Sequence, residues 1–144
     1  MRPILFSVTP IALALAACGS NEEPATEQTA AASPTPTPLP TEIPADYQGR
    51  WGLSAADCAA ESGSAEGLLE ITSTELKFYE SVGTLESVTG ATGGRFRGEF
   101  GFTGEGMSWE RDVVLDLRSD GNVLIRREFG DDASPQPFDY TRCP

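Results

Sequence analysis

Two neighbouring stretches, Arg95–Phe102 and Met107–Arg118, alternate apolar and polar side chains almost residue by residue. A period of two scatters apolar groups around a helix but gathers them on one face of a strand. Phe96, Phe100 and Phe102 share a face with Gly98 between them, and Arg95, Arg97 and Glu99 take the other. In the next stretch Met107, Trp109, Val113, Leu115 and Leu117 fall together, against Ser108, Glu110, Asp112, Asp116 and Arg118. Asp120-Gly121 is a strong hairpin signal and returns the chain as Asn122–Phe129.

Shorter runs of the same kind surround this pair: Tyr47–Leu53, Gly67–Ile71, Leu76–Glu80, Thr84–Thr89 and Phe138–Cys143. They are separated by glycine-rich turns at Gly90–Gly94 and Gly104–Gly106 and by a loop at Asp131–Pro137. Ser54 and Asp57 have the spacing of a capping box, which predicts a brief helical turn through Glu61. The expected fold is all-β, an antiparallel meander of about seven or eight strands closed or nearly closed into a small barrel. A β-sandwich is the alternative. Gly98 favours the barrel, because a glycine inside a strand often marks a bend.

The first 46 residues obey other rules. Arg2 supplies a weakly positive start, and Ile4–Leu15 is apolar apart from Ser7, Thr9 and Pro10, too short to span a bilayer as a helix. It ends in Leu15-Ala16-Ala17-Cys18. That stretch resembles the lipobox of bacterial prolipoproteins, which are cleaved before a cysteine already carrying a diacylglyceryl group. The resemblance implies that residues 1–17 are a signal peptide that is removed and that Cys18 is the lipidation site. Diacylglyceryl and amino-terminal acyl chains, palmitate among them, then hold the protein to a membrane, each buried methylene contributing about 0.8 kcal/mol. Glycine at position 19 resembles the outer-membrane pattern of this class, with the domain facing the periplasm.

Residues 18–46 read as a disordered tether, with Pro34, Pro36, Pro38 and Pro40 alternating with Thr35, Thr37 and Leu39. Alternate prolines favour polyproline II at about 3.1 Å per residue, a reach of about 85 Å. Residues 47–144 form the single small β domain. With Cys18 lipidated, Cys58 and Cys143 remain as an even pair in an oxidising compartment, where a disulfide is expected.

Charge narrows the partners. The chain carries a formal −12, and removal of Arg2 with the leader takes it to −13. Such a balance repels nucleic acid, whose binding demands lysine and arginine clusters. There is no histidine, so the Ser-His-Asp and Cys-His arrangements are excluded along with histidine metal ligands. No motif calls for a cofactor. Gly90–Gly94 lacks the lysine and following helix of a phosphate loop, and Asp120, Asn122, Asp131 and Asp132 lack the spacing of a calcium loop. The reading is a non-enzyme.

Face assignment leaves three charges pointing inward: Arg111 between Trp109 and Val113, Arg127 between Ile125 and Phe129, and Glu80 beyond Phe78. With Trp109 they make a candidate polar binding spot at the barrel mouth, or else an internal ion network. A register shift that leaves them exposed is the third possibility. The aromatic stripe of Phe96, Phe100, Phe102 and Trp109 belongs to the core, with a ligand cavity as the alternative. Size, single disulfide, lipid anchor and the Gly49–Trp51 stretch resemble small periplasmic β-barrel inhibitors of alkaline proteases and lysozyme. That resemblance implies an envelope binding module, an inhibitor or protein-interaction domain with a protein or cell-wall partner. A carrier or sensor of small apolar molecules and a structural envelope lipoprotein are the competing readings.

Overall fold

A computed structural model describes residues 38–144. The lipobox, Cys18 and the tether up to Thr37 lie outside the described residues. Eight strands make a closed antiparallel barrel in simple meander order: β1 (Gly49–Gly52), β2 (Leu68–Ile71), β3 (Glu75–Lys77), β4 (Ser81–Thr92), β5 (Arg95–Gly104), β6 (Met107–Leu117), β7 (Val123–Phe129) and β8 (Phe138–Arg142). Each pairs with its neighbours in sequence, and β1 closes on β8 through Trp51↔Arg142 and Gly52↔Thr141.

The alternation of β5 is kept as expected, with Phe96, Phe100 and Phe102 buried and Arg95, Arg97 and Glu99 exposed. Strand β4 is longer than its pattern suggested, Ser81–Thr92 against Thr84–Thr89. Its register against β5 shifts between Leu85 and Ser87 and again between Val88 and Gly90. Each irregularity inserts a residue and reverses the parity of the rest of the strand, which erases a period-two signal. Gly98 sits opposite these shifts. A Cβ there would come within 2.7 Å of Leu85 Cδ1, so the missing side chain admits Leu85 where the strands bend. At the β4–β5 turn, Gly93 and Gly94 both adopt positive φ, 56° and 81°, the conformation of a tight hairpin that most residues resist.

The interior is filled. Trp51, Leu69, Leu76, Phe96, Phe100, Val113, Leu115 and Leu124 are completely buried. One end is closed by the chain entering the domain. Ile43, 1% exposed, joins the core, and its N–H donates to Ser73 O at 2.8 Å. A 3-10 turn at Ala45–Tyr47 comes next, and Tyr47 O accepts the indole Nε1–H of Trp51 at 2.8 Å. The folded part therefore begins at Ile43, a few residues before the boundary expected at Tyr47. Its apolar side chain stands alone among prolines and polar residues, so no periodicity marks it.

Helix α1 (Ala55–Ala59) has the expected capping box: Ser54 Oγ accepts from Asp57 N, and Asp57 Oδ2 accepts from Ser54 N at 2.8 Å. The helix packs on the flank of β1, where Cys58 is bonded to Cys143, S–S 2.02 Å. The bridge ties the last residues of the domain to its first helix, 85 residues away in sequence.

Candidate functional site

The candidate site is a flank of the barrel where three strands outrun a fourth. Strand β6 pairs with β5 along its length, from Gly104↔Met107 to Arg95↔Asp116, but its ladder with β7 stops at Asp112↔Phe129. Beyond that pair β4, β5 and β6 run on, and the β7–β8 loop begins at Gly130, φ 135°, which lies against the Glu110 carbonyl and the Arg111 side chain. The angle between them is an open cleft of about 760 Å³ lined by Glu86, Glu99, Phe100, Trp109, Glu110, Arg111, Asp112 and Phe129–Asp132. Its floor is aromatic: Trp109 stacks on Phe102 with ring centroids 5.6 Å apart. Phe129, 49% exposed, stands at the rim.

The cleft is acidic. Among the described residues Glu86, Glu99, Glu110, Asp131 and Asp132 have no ion-pair partner, whereas Asp112 is held by Arg97. Arg111 is the single cation in the lining, and its Nη1 donates to Glu110 O at 2.9 Å. No group of three metal-binding side chains converges among the described residues.

The sequence-predicted spot is divided by the structure. Trp109 and Arg111 do meet, in this cleft. Arg127 and Glu80 do not join them. Arg127 lies on the outer face, where its Nη1 donates to Asp116 Oδ2 at 2.6 Å, and Glu80 is exposed in the turn between β3 and β4. Asp116 also accepts from Arg95 Nε at 2.6 Å, so one carboxylate joins β5, β6 and β7 across the surface. The hydrogen bond from Arg95 holds the Asp116 carboxyl below its usual value, against the opposite pull of partial burial, with Arg127 adding to the lowering.

The arginine that does enter the barrel is Arg126, 6% exposed. Its guanidinium is 4.5 Å from the ring centroids of both Phe78 and Phe138 and is ion-paired with Glu128. Sequence reasoning selects Arg127 because Val123, Ile125 and Phe129 outnumber Leu124 in apolar content. The correct signal is present in the hairpin. A two-residue turn at Asp120-Gly121 would set Leu117 opposite Leu124, Leu115 opposite Arg126 and Val114 opposite Arg127, and the observed register is the same. The chain itself reverses through Ser119–Asn122, with Gly121 N donating to Arg118 O at 2.9 Å and Arg118 N to Val123 O at 2.9 Å. Register from the turn outranks composition on a single strand.

Comparison with known proteins returns no similar family model, curated protein or solved structure. A second missed residue, Arg142, closes the opposite end. Its guanidinium stacks over Trp51 at 4.1 Å from the ring centroid. It donates to Gly121 O at 2.8 Å, Gln48 O at 3.0 Å and Asp46 O at 2.5 Å. One side chain thereby ties the entering segment, the β6–β7 turn and β8 together. Cation and aromatic are both visible in sequence, but their juxtaposition depends on β1 meeting β8, a contact that local patterning does not encode.

Proposed function

We propose that the chain is a lipid-anchored binding module of the bacterial cell envelope, held at Cys18 and tethered to an outer membrane from its periplasmic face. It engages a partner protein through the acidic, aromatic-floored flank of its barrel and is not an enzyme. The observation that carries this reading is the contrast between a filled interior and an open cleft. The fully buried rings and aliphatic side chains of Trp51, Phe96, Phe100, Leu69 and Leu115 occupy the space a carried molecule would need. The flank, by contrast, offers Phe129 and Trp109 beside carboxylates that have no cationic partner among the described residues. Aromatic anchors within a polar rim are the composition of a protein-binding surface. The unpaired carboxylates select a cationic partner.

The test has two arms in cells expressing the full chain. Mass spectrometry of the mature protein is expected to find acylated Cys18 at its amino terminus, with neither cleavage nor lipid in Cys18→Ala. A photo-crosslinking amino acid at Phe129 is expected to give a discrete protein adduct that the same probe at Arg118, at the other end of the barrel, does not give. An unlipidated chain refutes the anchor. A lipidated chain with no adduct at Phe129 refutes the binding module and favours a structural lipoprotein.

A further inference from the structure

The projecting part of β6 is an open strand edge. Met107–Arg111 pairs with β5 on one side, and among the described residues no strand pairs with it on the other. The Glu110 carbonyl oxygen lies 3.3 Å from where a Cβ on Gly130 would sit, so it faces the β7 side. Main-chain groups of a strand alternate sides with a period of two. The N–H and C=O of Ser108 and the N–H of Glu110 therefore face the gap, while the Glu110 C=O, on the same side, is covered by Arg111 and Gly130. Soluble proteins usually protect such an edge with proline, lysine, a bulge or a covering loop. The inward-pointing Arg111 and the loop at Gly130 cover the Glu110 end, whereas Met107–Trp109 contains neither proline nor lysine, its ladder with β5 has no register shift, and Met107 is 60% exposed. The Arg111 guanidinium rests on the Glu110 carbonyl at 2.9 Å, where the N–H of an added strand would donate.

We propose that this edge accepts an extended segment of a partner protein as an added β-strand, and that the segment carries lysine or arginine at alternate positions. The proposal rests on the binding-module reading and names its mode and its chemistry. Strand addition draws affinity from main-chain hydrogen bonds and specificity from alternate side chains. Side chains on the outer face of the added strand fall beside Glu110, with Glu99 and Glu86 on the same face of β5 and β4, and cations complement these carboxylates, while Trp109 and Arg111 lie on the inner face. A second copy of this chain is a poor occupant, because it would bring the same carboxylates against themselves.

The experiment uses the full mature lipoprotein in non-ionic detergent micelles. The probe is a pool of peptides of about seven residues, a common strand length, with Lys or Arg alternating with Val, Thr, Tyr or Leu. Control pools carry the same charges but are N-methylated at alternate residues in either phase, so that one edge has no N–H to donate. Hydrogen exchange is expected to show protection of the Ser108 and Glu110 amides with the unmodified pool. Affinity is expected to fall about tenfold or more, 1.4 kcal/mol or above, for the N-methylated pool whose blocked edge meets β6. A Glu99→Lys/Glu110→Lys variant is expected to lose binding of the unmodified pool while keeping its near-ultraviolet circular dichroism.

Equal affinity for all pools, or binding without protection of those amides, overturns strand addition in favour of diffuse attraction to an acidic surface. No binding overturns it as well. Protection that rises with protein concentration when no peptide is present overturns it in favour of self-association. None of these results touches acylation of Cys18 or the crosslink from Phe129, so strand addition can fail while the anchored-module reading survives.

Discussion

Replacing Arg126 by methionine tests how the charge enclosed at the barrel end is balanced. The guanidinium is 6% exposed and contacts the faces of Phe78 and Phe138, and Glu128, its ionic partner, has a side chain 15% exposed. Methionine fills the length of the arginine stem but leaves the Glu128 carboxylate largely desolvated without a cation. Breaking a buried pair in this way costs about 3 to 5 kcal/mol. The lower figure suits Glu128, which keeps some solvent, so about 3 kcal/mol is expected, a fall of about 15 °C in Tm for a domain of this size.

Removing both charges, Arg126→Met with Glu128→Met, relieves both desolvation penalties and is expected to lie within about 1 kcal/mol of the parent. Urea denaturation with the disulfide intact, run on the parent, both single variants and the double variant, gives the coupling directly. It should exceed about 2 kcal/mol. Additive single effects, or a double variant as unstable as their sum, would refute the view that Arg126 and Glu128 compensate each other. The weight would then fall on the contacts of the guanidinium with Phe78 and Phe138.

Two further substitutions probe the outer face and the packing. Asp116→Asn should cost about 1 kcal/mol at neutral pH, because it weakens links to Arg95 and Arg127 that are partly exposed. The Asp116 carboxyl is depressed in the folded state, so its contribution is complete above the unfolded aspartate value of about 3.9 and disappears as pH falls through the lower folded value. Denaturation at neutral and at strongly acidic pH checks the sign, and a difference that does not change with pH refutes it. Gly83→Ala should cost about 1 to 3 kcal/mol by overpacking, since the new Cβ would meet Phe102 Cζ at 2.6 Å. The stack of Phe102 on Trp109 should shift with it, visible in the near-ultraviolet circular dichroism of Trp109, and an unchanged spectrum with unchanged stability counts against the close fit.

The barrel is legible in the sequence wherever strands alternate without interruption. Strands β5 and β6 carry their faces openly, and Ser54 with Asp57 announces the capped turn that holds Cys58. Strand β4 reads short because two register shifts scramble its parity, and Ile43 escapes notice because a single buried residue makes no period. In the candidate site, Trp109 and Arg111 are correctly placed together on the inward face of β6. The third and fourth members of that constellation fail for different reasons. Glu80 lies in a turn, where face parity no longer applies. Arg127 loses to Arg126 because the register set at the β6–β7 hairpin outweighs apolar content on β7. The cleft arises from unequal strand lengths, a property of the pairing as a whole and not of any one segment.

The bridge between Cys58 and Cys143 also decides how the domain answers a mechanical load. A pull on its amino-terminal side reaches Ile43 first, then the 3-10 turn, then β1, each of which can peel away in turn. Peeling stops at Cys58, where the force passes into a covalent link to the end of β8. The slack released before that stop is set by residues 43–57, about 50 Å of extended chain at about 3.4 Å per residue. A domain gripped by its flank and drawn from its amino-terminal side would therefore lengthen by a fixed stroke, with β2 to β8 still enclosed in the cross-linked loop.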